Sequence, residues 1–447
     1  MPPSTDSAFL SAETVVLAVL LVGMVLVFVL RRLRRTRPAF DVARPLLVGT
    51  VIRFLAIAGV AATGLQETLR GGDETTFLLA AQRLADSPFG HGFLPHAEYQ
   101  LHTVIFGLEL KYGGFSMAAM RVVQVGLAMV GVLLILAAVH DLSGPRAARI
   151  AAWVLAFEPG SIFFNSALHK EPLMMLASGL VVFGGTKLWR RLDLSGIAIA
   201  AVGGLIAVET RSYAGWFLVS GTVLLLLHAS LRRLDRPLRA MPLIYGVVIV
   251  GFIAAPVIIQ ASSTENLKKL QISQDASSHG VKTGAQGGNN LALESVNYSA
   301  RGAVVTNLPK RMYDVVARPY PWQVANPSQQ LGAVGTLVAL TGLVLLVRAA
   351  WRRRGEVLAL TAPILYPMLF LLMAYALSAG NAGTGFRYRT HLVTLGFAMV
   401  FLLREYVPAT ARGASLAALG APGHTPRTPA GTPGRQGMTP QHTRSSA

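Results

Sequence analysis

A chain of 447 residues that is 53% hydrophobic and only 14% charged is no ordinary soluble domain, and with no cysteine it has neither a disulfide framework nor a thiol nucleophile. The formal charge of +19 would suggest nucleic acid in a soluble protein. Here the basic residues cluster between long apolar runs, so the excess reads as membrane topology and attraction to anionic headgroups, and nucleic acid is not expected as a partner.

In chain order, runs of about 20 apolar residues recur, the length needed to cross roughly 30 Å of hydrocarbon as a helix. They lie near 12–30, 46–64, 117–138, 147–164, 172–189, 195–209, 213–230, 240–261, 330–350, 356–378 and 390–406. The expected fold is therefore an all-α, polytopic helical membrane protein with about eleven transmembrane helices. Basic residues follow the first apolar stretch instead of preceding it, which reads as a retained signal-anchor-like span. Clusters from Arg31 to Arg35, Arg146 to Arg149, Lys187 to Arg191, Arg232 to Arg239 and Arg348 to Arg354 occupy every second connection. The positive-inside rule then puts the N-terminus outside and the C-terminal end in the cytosol of a multi-pass cell-membrane protein.

Three regions follow. Residues 1–45 hold the first span and a basic cytoplasmic loop, 46–406 a transmembrane bundle, and 407–447 a Thr-Pro- and Gly-Arg-rich tail that reads as disordered. Two outer loops are long, 65–116 and 262–329, and long loops in compact proteins tend to be functional or disordered. The first carries Phe77, Phe89, Phe93, Tyr99, Phe106 and Tyr112, and is expected to form interfacial helices against the outer leaflet. The second is polar and flexible from Ser273 to Asn290, then becomes basic and aromatic toward Trp322.

Acids are scarce, 21 against 40 Lys and Arg, so those on the outer face are informative. Asp73 and Glu74 follow two glycines just beyond a span; they are either a helix N-terminus or a catalytic pair. Glu158 sits near the outer end of a span, where a carboxylate needs a polar cavity or a partner. His169, Lys170 and Glu171 precede Pro172, which suits the first turn of a helix running back inward. Arg211 lies between two spans with almost no loop, and an outer-face guanidinium is a fair phosphate ligand. Arg318 and Trp322 bracket a stiff Pro-Tyr-Pro turn. Arg387, Tyr388 and Arg389 follow three glycines, a pattern suited to a phosphate or pyrophosphate cradle and contrary to the charge bias of an outer loop. No nucleotide-binding loop, dinucleotide fingerprint, zinc-protease motif or nucleophile elbow competes.

These residues resemble the polytopic bacterial glycosyltransferases of the GT-C fold. The resemblance rests on Gly72-Asp73-Glu74, on Glu158-Pro159-Gly160-Ser161 through His169-Lys170-Glu171, on Arg318-Pro319-Tyr320-Pro321-Trp322, and on Phe386-Arg387-Tyr388-Arg389. It implies a polyprenyl-phosphate sugar donor at the outer leaflet and a glycan or glycolipid acceptor. It further implies Asp73 as general base with Glu74 as second choice, and Arg387, Arg389, Lys170 and Arg211 around the lipid phosphate. A divalent cation such as Mg2+ or Mn2+ could bridge Asp73 or Glu74 to that phosphate, although no spacing demands one. The chain departs from the family in an additional N-terminal span, and in having no C-terminal soluble domain. Alternative readings are a glycan polymerase like the O-antigen polymerases, and a non-enzymatic carrier of lipid-linked glycans.

Overall fold

The computed structural model describes residues 11–63, 73–86, 100–233, 271–272, 275, 293, 296, 302–324 and 327–406. All regular structure among them is helical, with no β-strand. In chain order the helices are α1 (Ala12–Thr36), α2 (Ala43–Ala62), α3 (Asp73–Asp86), α4 (Leu101–Gly113), α5 (Met117–Ser143), α6 (Pro145–Ala156) and α7 (Pro159–Phe164). They continue with α8 (Glu171–Arg190), α9 (Leu194–Thr210), α10 (Ser212–Leu231), α11 (Ala303–Ala317), α12 (Pro327–Arg352), α13 (Val357–Ser378) and α14 (Ala382–Glu405).

Seven of these are long and apolar enough to cross a membrane: α1, α2, α5, α8, α10, α12 from Gly332 onward, and α13. Helix α9 is apolar but has only 17 residues, and α14, with 24, is not apolar enough to join the seven. The expected span at 240–261 and the tail at 407–447 lie outside the described residues, as does most of the stretch from Ser273 to Asn290 that the sequence suggests is flexible.

Packing separates a protein-facing from a lipid-facing surface. Helix α1 buries a single stripe, Ala18, Val22, Leu26 and Leu30, while Leu17, Leu20, Met24 and Phe28 stay exposed. A helix apolar all round with one face unburied is what a bilayer accommodates. Helices α5 and α8 form the centre. A side-chain carbon placed on Gly131 of α5 would collide with the backbone around Met175 and Leu176, and one on Gly179 of α8 with the backbone of Gly131. The two backbones touch there because both residues lack Cβ, a common device for close helix crossings in membranes.

The expected single span at 147–164 is corrected: it is two helices. Phe157 closes α6, and Glu158 caps α7 by accepting from the Gly160 amide at 2.9 Å and from the Ser161 amide. Pro159 explains the break. It has no N–H to donate back into α6, and it biases Glu158 away from helical geometry. Average hydropathy hides a proline that interrupts an otherwise apolar run.

The two ends of the bundle differ in charge. At one end, Arg37 of the α1–α2 connection pairs with Asp141 of α5 at 2.6 Å, and Arg146 of α6 with Glu405 of α14 at 2.9 Å. There too Arg233 donates to the carbonyls of Leu188 and Trp189, and Arg353 to that of Tyr406. These contacts gather the described parts of the arginine-rich connections on one face. The opposite end holds Ser116, where Thr14 of α1 bonds its hydroxyl at 3.0 Å, the α3–α4 pair, and the turn at 165–170.

Candidate functional site

The turn between α7 and α8 is the hub of the arginine-poor end. Asn165, Ser166, Leu168, His169 and Glu171 are all fully or almost fully buried. Its conformation is held from within, the Asn165 amide donating to Ser161 Oγ at 2.7 Å and Ser166 Oγ to the Ile162 carbonyl at 2.8 Å. It is held from outside by Glu74. That carboxylate accepts from Arg121 Nε at 3.2 Å and Nη2 at 2.7 Å, and from the Leu168 amide at 2.7 Å. The ion pair is shut away from solvent, and its geometry ties α3 to α5 and to the turn. Helix α3 begins at Asp73, whose side chain lies outside the described atoms.

Glu171, first residue of α8, anchors a second and larger network. Arg211, in the junction between α9 and α10, donates Nη2 to Glu171 Oε1 at 3.1 Å. The same guanidinium lies over the Tyr388 ring, 4.4 Å from its centroid. Tyr388 stacks on Tyr375 of α13 and shares a 2.7 Å hydroxyl contact with Tyr213 of α10. His391 of α14 joins the ends of this chain. Its Nε2 is 3.0 Å from the Glu171 carbonyl and its Nδ1 3.0 Å from the Tyr375 hydroxyl. A carbonyl can only accept, so Nε2 carries the proton and Nδ1 accepts from Tyr375.

Charge converges on the same point. Arg211, His169, Arg387 and His391 all act electrostatically on Glu171. Lys170 is hydrogen-bonded to Gln100 and sits 5.4 Å from the Phe77 ring centroid, bringing α3 and α4 alongside. His102 of α4, whose ring meets the edge geometry of Phe77, lies within electrostatic reach of Lys170, Arg211, Glu171 and His169. Burial first, and then the Lys170 and Arg211 charges, push the His102 imidazole far below its ordinary range, so it is neutral. Nearby in α4, Glu109 has both carboxylate oxygens enclosed without hydrogen-bond partners among the described residues, and burial pushes it up to about 8.

Two atoms of the Glu171 network are unsatisfied. Glu171 Oε2 and Arg211 Nη1 are buried and have no hydrogen-bond partner among the described residues. Buried polar atoms are almost always paired, so such exceptions mark places where water or a ligand belongs. The carboxylate needs a donor, and the guanidinium needs an acceptor.

A separate polar centre surrounds Glu158. Arg53 of α2, fully buried, donates to the carbonyls of Gly49 at 2.7 Å and of Leu155 and Ala156 at 3.3 Å, and to Ser161 Oγ at 2.6 Å. It caps the end of α6 and, together with Arg389, acts electrostatically on Glu158. Beside it a lateral groove of about 450 Å3 is lined by Trp153, Val154, Phe157, Glu158, Val338 and Phe397. This groove is an apolar slot with one carboxylate-bearing residue on its wall.

The structure thus brings together His169, Lys170, Glu171, Arg211, Arg387 and Tyr388 from the expected set. Glu74 joins them through the Leu168 amide. Arg389 is placed differently. It is buried, with Nη1 on the Val316 carbonyl at 2.7 Å, the Arg318 carbonyl at 3.0 Å and Thr336 Oγ1 at 2.8 Å, so it straps α11 and α12 to α14. Arg318 pairs with Asp314 at 3.2 Å, while Trp322 is exposed and stacks on Tyr320. His102, Tyr213, Tyr375 and His391 were not among the expected site residues. Histidines and tyrosines spread over four helices carry no spacing signal, and only the fold assembles them. Among the described residues no three His, Asp or Glu side chains gather as a metal site. Comparison of the chain with known protein families, curated proteins and solved structures gives no match.

Proposed function

We propose that this protein is an integral membrane glycosyltransferase that moves a sugar from a polyprenyl-phosphate donor to a glycan or glycolipid acceptor at the outer face of the cell membrane. The observation that carries this reading is the pair of unsatisfied atoms, Glu171 Oε2 and Arg211 Nη1, buried side by side at the arginine-poor end. A glycosyl phosphate satisfies both: its phosphate oxygens accept from Arg211 and a sugar hydroxyl donates to Glu171. The lateral groove beside Glu158 supports it too, since its aromatic and aliphatic walls suit an isoprenoid chain. The positive-inside rule assigns the arginine-rich end to the cytosol and therefore this site to the outer face. On this reading helices α9 and α14 and the broken α6–α7 unit add three crossings to the seven long apolar helices, and α3 and α4 lie at the interface.

In the reaction, Asp73 removes the proton of the acceptor hydroxyl as its oxygen attacks the anomeric carbon. The bond from that carbon to the phosphate oxygen breaks, with inversion, and polyprenyl phosphate leaves carrying the negative charge. Arg211, Lys170 and Arg387 stabilise that charge as it develops. Glu74, held by Arg121 and the Leu168 amide, fixes the start of α3, where Asp73 stands.

The same Glu74 geometry favours a second reading. If neither acid acts as base, the arginine centre remains that of a polymerase working on pyrophosphate-linked glycans. Transfer of radiolabelled sugar from polyprenyl-phosphate donors by purified protein decides between them, with wild type beside Asp73→Asn and Arg387→Ala. The transferase reading predicts loss in both variants. Full turnover by Asp73→Asn with loss in Arg387→Ala would move the assignment to the polymerase.

A further inference from the structure

At the arginine-rich end, Arg348 and Arg352 of α12 and Arg404 of α14 line one cavity of about 270 Å3, floored by Leu345 and Ala349. Arg348 and Arg352 are one helical turn apart on the same face, where like charges repel. None of the three has a hydrogen bond or ion pair among the described residues. Their neighbours are paired: Arg146 with Glu405, and Arg353 with Glu356 at 3.3 Å.

No acid is left over for them among the described residues at this end. Asp41 is shared by Arg34 and Arg149, Asp141 by Arg37 and Arg190, and Asp193 is held by Lys187. Glu356 and Glu405 are the partners just named. The sequence after Tyr406 contains no Asp or Glu either. Three guanidinium groups around a single cavity are therefore left without an anion among the described residues.

The surroundings say which kind. Val344, Val347 and Trp351 extend along α12 from the same level and are exposed, so the arginines stand at the head of an apolar surface. A tryptophan beside basic residues at a helix end marks the headgroup level of a bilayer. We propose that the cleft between α12 and α14 is a binding site for an anionic glycerophospholipid, its phosphodiester held by Arg348, Arg352 and Arg404 and its acyl chains lying along α12. Arginine forks match phosphate oxygens, and basic pockets between membrane helices are suited to anionic headgroups.

The full-length protein, purified in phosphatidylcholine nanodiscs doped with phosphatidylglycerol, provides the test. Retained phosphatidylglycerol is counted by native mass spectrometry for wild type, for Arg404→Gln alone, and for Arg348→Gln/Arg352→Gln/Arg404→Gln. An Arg31→Gln/Arg32→Gln control removes charge at the same end but away from the cavity. The proposal expects one tightly retained lipid in wild type and control, several-fold weaker retention in Arg404→Gln, and loss in the triple variant. Equal retention in all four would overturn it. So would displacement of the lipid by inorganic pyrophosphate at matched concentration, which would make the site one for a soluble anion.

Discussion

Glu74 and Arg121 show how a buried charge can be structural and still serve a site. With two contacts from one guanidinium and a third from the Leu168 amide, the Glu74 carboxylate is committed to holding α3 against α5 and the turn. Removing one partner leaves a buried charge alone, which costs about 3–5 kcal/mol in soluble proteins, whereas replacing both with apolar groups is often close to neutral. Glu74→Gln should therefore lower the thermal unfolding temperature in detergent clearly, and Glu74→Leu with Arg121→Met should recover most of the loss. A stable Glu74→Gln protein would show that the pair is not the strut described above. The contrast with Glu171 is instructive. Its Arg211 partner satisfies one oxygen and leaves the other open, which is the difference between a strut and a binding group.

Among the elements, the crossing of α5 and α8 controls where that open carboxylate sits, because Glu171 is the first residue of α8. Gly131 and Gly179 allow the backbones to touch, and any side chain there must push the helices apart. Gly131→Leu should therefore reduce the yield of folded protein or loosen it, read as lower thermal stability and early aggregation on size exclusion. Wild-type behaviour in that variant would contradict the contact. The same elements show what sequence could and could not reveal. Apolar runs of helical length were plain for α1, α2, α5, α8, α10, α12 and α13. Arg53 and Arg121 lay in view inside two of those runs, and a charge within a span is itself a signal of a polar partner, Ser161 with backbone carbonyls in one case and Glu74 in the other. Hydropathy averaging passed over them, as it passed over Pro159. Tyr375, Tyr213, His391 and His102 could not be read in advance, since their placement depends on how four helices pack.

At the scale of the whole molecule, the sorting of arginines to one end is the feature on which the sidedness of the site depends. The absence of native cysteine makes it directly measurable. Tyr112→Cys, exposed at the end of α4, should react with a membrane-impermeant maleimide on intact cells. Arg191→Cys, exposed just beyond α8, should react only after permeabilisation. The opposite pattern would put the Glu171–Arg211 centre in the cytosol and remove the outer-leaflet donor.

The centre itself is tested most directly by donor binding. The affinity of a polyprenyl-phosphate sugar for purified wild-type protein would be compared with that for Arg211→Gln and Glu171→Gln variants whose unfolding profiles remain cooperative. Loss of one charge-assisted hydrogen bond, worth about 1.5–3 kcal/mol, predicts at least roughly tenfold weaker binding in Arg211→Gln. An unchanged affinity in a folded Arg211→Gln protein would contradict the assignment of this network as the donor site.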